Sequence, residues 1–369
     1  MKYYIIAGES SGDLHGANLM KHLKRFDAEA KFRFWGGDMM LKQDDSIVKH
    51  YKDLAFMGFT EVLTHLYTIF NNLRLCKKDI INFKPDVLIL IDYPGFNLRI
   101  SKFAKKSNIK IFYYISPQIW AWKKSRIKTI KKNVDKMFVI LPFEKDFYKS
   151  CGMDVDFVGH PLLDVIEDYQ KNNAGDNISN KNIVAILPGS RKQEIKKMLP
   201  VMLDAAANFP DMQFVVAGTS SVDKHVYDII SNYKNVVIKY DCTCDILAES
   251  IAAMVTSGTA TLEAALFGVP EVVCYKGSIL SYYIAKYFIK VKYISLVNLI
   301  IDKSAVEELI QHDFNSSKLT NSLSAILFDT EIKEKIQKNY HSLREKLGNT
   351  GASEKTAKLM IERLKKQTL

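Results

Sequence analysis

Four short turns hold most of the side chains in this chain that could do chemistry, and each follows a run of β-branched or aromatic residues. The first is Gly8-Glu9-Ser10-Ser11-Gly12-Asp13, ahead of a helical pattern over His15–Leu23. Its glycines let the backbone approach a ligand, and Ser11 and Gly12 stand where a helix offers unpaired N–H groups to an anion. Ser10, Ser11 and Asp13 also make good helix caps, so a ligand site and a plain capped helix both fit. The second turn is Asp92-Tyr93-Pro94-Gly95-Phe96-Asn97. Asp92 ends a strand where a general base would stand, and a carboxyl of ordinary pKa is ionised at neutral pH. Asp before Pro-Gly is common turn chemistry too, and on the residues alone that plainer reading is the stronger.

The other two turns favour an anion more clearly. In Leu187-Pro188-Gly189-Ser190-Arg191, Gly189 and Ser190 can present N–H groups, and the Arg191 guanidinium suits phosphate oxygens. In Ser257-Gly258-Thr259-Ala260-Thr261-Leu262-Glu263, small residues open a helix, and Glu263 one turn further in could accept from ribose hydroxyls. A capped helix with a first-turn Glu explains the latter equally well, but two such turns in one half make a diphosphate ligand the better account. His160, in Phe157–Pro161, could donate to a phosphate or sugar oxygen; a lone loop histidine is more often unremarkable.

Positioning these turns requires alternating strands and helices. Tyr3–Ala7, Phe32–Trp35, Val87–Ile91, Ile111–Ile115 and Met137–Leu141 read as strands in the first half. Ile183–Leu187, Gln213–Ala217, Val236–Lys239, Ala252–Thr256 and Val272–Tyr275 repeat the pattern in the second. Near-continuous apolarity over four or five residues marks parallel strands buried on both faces. The fold class is therefore α/β, with two doubly wound Rossmann-like domains at 1–167 and 183–345. The polar stretch Asp168–Asn182 reads as a linker or exposed hairpin. Helical patterns follow from Leu319 and again from Ser353. Ligands of such domains sit outside the carboxyl ends of the strands, which points to the cleft between the halves.

Composition narrows the partners. A length of 369 residues is long for one core. The net charge of +11 favours an anionic partner: nucleic acid, an anionic membrane or a phosphorylated substrate. No nucleic-acid-binding motif accompanies it. The five cysteines are odd in number and scattered, as suits a reducing cytoplasm, and the Cys242–Cys244 pair has no second pair to complete a metal site. The N-terminal run is too short for an export signal, and Lys286, Lys290 and Lys292 interrupt the apolar-leaning Ile279–Ile301. Leu66, Tyr67, Ile69, Phe70 and Leu73 lie among Arg74, Lys77 and Lys78, and Lys123–Lys132 forms a second basic run behind Trp120 and Trp122. Such segments are core-packed helices and solvated faces, or an interfacial surface on an anionic bilayer.

The ordered set of motifs resembles the lipid-A-disaccharide synthase family over nearly the whole chain. The resemblance runs through Ala7–Ala17 (AGESSGDLHGA), Ile91–Asn97 (IDYPGFN), Tyr114–Trp122 (YISPQIWAW) and Leu141–Tyr148 (LPFEKDFY). It continues in Phe157–Asp164, Leu187–Ile195, Ser257–Lys276 and Tyr293–Ile300. Ser10 and Val297 depart from the usual pattern without removing a chemical group. The resemblance implies a GT-B fold, with the C-terminal helix (352–369) packing back on an acceptor-side N-terminal domain and a UDP-sugar-binding C-terminal domain. It implies an inverting glycosyltransferase; no cofactor is expected, and since no residue cluster suggests a divalent metal, Arg191 and helix ends would supply the counter-charge. The donor would be UDP-2,3-diacylglucosamine, the acceptor 2,3-diacylglucosamine 1-phosphate, and the site peripheral on the cytoplasmic face of the inner membrane. A homodimer exchanging C-terminal segments is also implied. Asp92 matches the family's base, with Asp13 as runner-up, and Arg191, Ser190 and Ser257–Thr259 would meet the diphosphate. Glu263 would hold the ribose, and Ser11 and Asn298 would touch sugar or phosphate. Rivals on the same fold are a UDP-GlcNAc transferase and a UDP-GlcNAc 2-epimerase; a nucleic-acid-binding protein is the rival outside it.

Overall fold

Strands that are apolar on both faces are stable only between two helical layers. In the computed structural model, which describes residues 1–53, 66–121, 124–173, 183–277 and 292–366, such runs form the inner strands of two parallel sheets. The chain divides into two units, Met1–Asp164 with Asn349–Leu369, and Val165–Gly348.

The first sheet comprises β1 (Lys2–Ala7), β2 (Lys31–Gly36), β3 (Ile47–His50), β4 (Val87–Ile91), β5 (Lys110–Tyr114), β6 (Lys136–Val139) and β7 (Asp156–Phe157). Their order is β3-β2-β1-β4-β5-β6-β7. The second comprises β8 (Ile183–Leu187), β9 (Gln213–Gly218), β10 (Val236–Tyr240), β11 (Ser250–Thr256), β12 (Glu271–Tyr275) and β13 (Glu307–Ile310), in the order β10-β9-β8-β11-β12-β13. The first six strands of each unit thus share the doubly wound order, in which the direction of winding reverses between the first and fourth strands. The ten strands expected from sequence are all present. The three that it does not announce, β3, β7 and β13, are all edge strands, where exposure permits Lys49, His50, Asp156, Glu307 and Glu308.

Helices cover both sheets. The first-unit core joins Tyr4, Trp35, Leu88, Leu90, Phe96 and Tyr113. Two of its buried polar atoms are linked in a chain: Trp35 Nε1 donates to the Tyr4 hydroxyl at 2.9 Å, and that hydroxyl donates to Asp79 at 2.9 Å. The helix Ala352–Lys365 lies along Ser10–Phe26 and buries Ala357, Met360, Ile361 and Leu364. Asp164 caps it, accepting from the N–H groups of Gly351, Ala352 and Ser353 at 2.5, 3.3 and 3.1 Å.

One expectation needs correction. The helix Leu162–Asn172 runs well into the polar stretch expected as a linker. Its polar residues ride an exposed face, where Glu167 pairs with Lys171 at 2.8 Å, while Tyr169 packs on Phe267. Residues 174–182 lie outside the described residues.

Candidate active site

All four chemical turns stand at switch points. Gly8–Asp13 follows β1 and Asp92–Asn97 follows β4, and these strands are neighbours in register, Ala7 beside Ile91. Pro188–Arg191 follows β8 and Ser257–Thr259 follows β11, again a neighbouring pair. In each sheet the carboxyl ends of these two strands open the crevice where doubly wound folds hold ligands.

In the first unit the backbone behind β4 is strained. Asp92 and Tyr93 have φ of 40° and 45°, and Ile115, behind the adjacent β5, has φ of 63°. Non-glycine residues reach this region at a cost, and a β-branched one rarely reaches it at all. The Asp92 carbonyl is fixed by Asn97 Nδ2 at 2.8 Å and by the Tyr113 hydroxyl at 2.5 Å. The half-buried Asp92 carboxyl is pushed up to about 7, first by burial and then by the negative charge of Glu9. The Tyr93 N–H and the Arg126 charge pull in the other direction. A carboxyl so tuned is a competent base near neutral pH.

The turn behind β1 differs from expectation. The helix starts at Ser10, with Glu9 as its N-cap, so Ser11, Gly12 and Asp13 form its first turn. Ser11 is exposed, while Gly12 is buried against Ala7 and Ile91. Asp13 is engaged by the fold: its carboxylate accepts from the N–H groups of Gly37 at 2.7 Å, Met39 at 2.9 Å and Met40 at 3.1 Å. That bonding caps the short helix Asp38–Leu41 and argues against Asp13 as a base. His160 is buried, and its Nδ1 accepts from Leu162 N–H at 3.2 Å, which places the ring proton on Nε2. Burial and His15 lower its pKa to about 3, so it is a neutral donor.

The Ser116–Trp120 and Leu141–Tyr148 motifs meet at a residue that motif reasoning passed over. Glu144, 1% exposed, accepts from Leu141 N–H at 3.1 Å and from Trp120 Nε1 at 3.2 Å. Ser116 Oγ bonds the Tyr148 hydroxyl at 2.7 Å. Burial pushes Glu144 up to about 7. These contacts pin the segment leaving β5, which carries strain at Ile115.

In the second unit Gly189 has φ of 108°, and a Cβ there would stand 2.8 Å from Glu194 Oε2. The turn therefore requires glycine. Arg191, the N-cap of Lys192–Ala206, is half-exposed and pairs with Glu194 at 2.9 Å. Ser190 precedes it on the same exposed turn. Gly258 caps the helix Thr259–Leu266. Burial raises the pKa of Glu263.

Two residues depart from expectation. Ser257 N–H donates to the Cys274 carbonyl at 2.9 Å and its Oγ to the Ile294 carbonyl at 3.0 Å, so its donors serve the fold. Asn298, 0% exposed, has all four side-chain positions occupied. Its Oδ1 accepts from Ala305 and Val306 N–H at 2.7 and 3.0 Å, and its Nδ2 donates to the Val306 carbonyl and to Glu308, both at 2.9 Å. It braces the segment and cannot also bind sugar. Glu308, on edge strand β13, also accepts from Ile294 and Ser295 N–H; nothing in its local sequence signals this hub. Among the described residues, no three His, Cys, Asp or Glu side chains are grouped to hold a metal ion.

A family model described as lipid-A-disaccharide synthetase matches residues 3–362. This chain belongs to the lipid-A-disaccharide synthase family. The family's enzymes are glycosyltransferases of lipid A biosynthesis, and the chain is an enzyme of that class. A lipid-A-disaccharide synthase of Syntrophus aciditrophicus is 40% identical over 98% of this chain and 97% of its own length. One of Geobacter sulfurreducens is 37% identical over the same shares. A UDP-GlcNAc 2-epimerase of Neisseria meningitidis, solved bound to UDP-GlcNAc, superposes with a TM-score of 0.73 at 15% identity, over 99% of this chain and all of its own. That likeness supports the GT-B fold alone. Among the described residues, no helix is long and apolar enough to cross a membrane.

Proposed function

We propose that the chain joins UDP-2,3-diacylglucosamine to 2,3-diacylglucosamine 1-phosphate with inversion, releasing UDP and the β-1',6-linked disaccharide 1-phosphate. The reading is carried by Asp92, whose carboxyl is pushed up to about 7 in a strained turn at the first switch point. Asp92 takes the proton of the acceptor 6-hydroxyl while that oxygen bonds to the donor's anomeric carbon. The bond from this carbon to the diphosphate breaks, and UDP leaves with its electron pair. Arg191, the N–H groups of Ser190, Gly258 and Thr259, and the positive end of Thr259–Leu266 meet the growing charge. Glu263 holds the ribose; Ser11 and His160 Nε2 donate to sugar or phosphate oxygens.

Both substrates are lipids, so the enzyme works peripherally, at the cytoplasmic face of the inner membrane. The helix Leu66–Phe83 supports such contact: Tyr67 and Phe70 are 79% and 67% exposed beside Arg74 and Lys78, while Leu73, Cys76 and Ile80 hold it to the core. Trp122 and Lys123 of the second basic run lie outside the described residues. Mass spectrometry of products from the two acylated substrates tests the proposal, with unacylated UDP-GlcNAc as control. A tetraacyl disaccharide phosphate is expected. Its absence, or turnover of UDP-GlcNAc alone, would overturn the proposal.

A further inference from the structure

The turns behind β1 and β4 touch. Gly8 lies so close to Tyr93 that a Cβ on it would stand 2.3 Å from the ring, and Gly12 packs on Ile91. Because Ala7 and Ile91 are in register, Gly8-Glu9 and Asp92-Tyr93 leave the sheet side by side. Glu9 is half-buried at the N-cap of Ser10–Phe26, yet its side chain makes no capping hydrogen bond. Glutamate is not a preferred N-cap residue, so capping does not explain its presence. Asp13, the other carboxylate of the turn, is directed away to Gly37, Met39 and Met40.

We infer that Glu9 is a positioning residue for the general base: it shares the switch point with Asp92 on the touching turns, and its negative charge strengthens Asp92 as proton acceptor. The inference rests on Asp92 being the base. Glu9 acts on both residues of the strained turn, raising the pKa of Asp92 and of Tyr93. The groups around Asp92 are few. The Tyr93 N–H and Arg126, ahead of Ile127–Asn133, favour its ionised form. Arg99, on Pro94–Lys106, acts on Tyr93 and Arg126, and Tyr113 from β5 donates to the Asp92 carbonyl. Among the described residues that act on Asp92, Glu9 is the carboxylate. Burial raises Asp92 most, and the Glu9 charge adds to it against the pull of Arg126, which keeps the carboxylate basic.

The test is the pH profile of kcat/KM, with folding followed by circular dichroism. The acid limb of the wild type reports Asp92. In Glu9→Gln it should move to lower pH by roughly half a unit or more, with turnover reduced on its plateau. Glu9→Ser provides a better helix cap, so it tests the same loss of charge in a fold that the cap supports. Glu9→Asp should keep the limb near the wild-type position. A limb unmoved in both neutral variants, or moved equally in Glu9→Asp, would overturn the inference. Asp92→Asn separates the two levels. If it retains wild-type turnover, the base assignment fails. If it abolishes turnover while the neutral Glu9 variants leave the limb in place, only the role of Glu9 fails.

Discussion

Asn97 grips Asp92 by its backbone, donating from Nδ2 to the Asp92 carbonyl at 2.8 Å and to the Ile91 carbonyl at 3.2 Å. It sits in the first turn of Pro94–Lys106, the helix that Asp92 and Tyr93 introduce, so the side chain closes the strained turn on itself. Asn97→Ala would release the turn toward ordinary backbone angles. Turnover should fall about tenfold or more, as expected for a small displacement of a catalytic group, and stability by about 1–3 kcal/mol. Steady-state kinetics and urea denaturation would show both.

Asn298 is expected to matter for folding and not for sugar binding. Asn298→Ala takes the acceptor from the Val306 N–H, leaves the Ala305 N–H only the Lys303 carbonyl, and removes the donor to the Val306 carbonyl and Glu308. A loss of about 3 kcal/mol in unfolding free energy is expected, read by chemical denaturation. UDP affinity of the fraction that remains folded, measured calorimetrically, should stay within about twofold.

Asp164 ties the last helix to the first unit through three N–H groups. Asp164→Ala should cost about 1–2 kcal/mol. Amide exchange in residues 352–365 should accelerate more than in β8 or β11.

His15 and His160 give a signed pH dependence. Burial lowers both, to about 4 and about 3, from an ordinary 6.5. Between those values and 6.5 the unfolded chain binds more protons, so their contribution is present above pH 6.5 and lost as the pH falls. The drop in Tm between pH 7 and pH 5 should be smaller in His160→Gln than in the wild type.

Tyr67 and Phe70 offer exposed apolar surface. Replacing both by Ser should weaken binding to anionic vesicles at least tenfold, since each buried side chain is worth about 1.5–3 kcal/mol. Tm and turnover of detergent-dispersed substrate should be unchanged. Equal vesicle binding would refute the membrane surface.

How much of this was legible in the residues depends on how local each cause is. Inner strands such as Val87–Ile91 and Ile183–Leu187 announce themselves because burial on both faces demands an unbroken apolar run. Ile47–His50 and Glu307–Ile310 do not, because an edge strand needs only one protected side. The Asp92 and Arg191 turns were visible as strand ends carrying chemical groups. Glu144 and Glu308 were not, since their partners Trp120 and Ile294 come from other segments that only the topology brings together. Asn298 and Asp13 had suitable types for substrate contact, and their surroundings alone show that neighbouring N–H groups engage them instead.

The helix Ala352–Lys365 closes a unit that begins at Met1, with all of Val165–Gly348 threaded between. During synthesis the second unit can therefore fold as an uninterrupted block while the first still lacks the helix that covers Ser10–Phe26. The apolar surface of that first helix stays uncovered until about residue 365 has left the ribosome, so the N-terminal half is the later of the two to mature. Its contacts with Ser10–Phe26 join the two ends of that unit, and the slow phase of refolding should be docking of this segment.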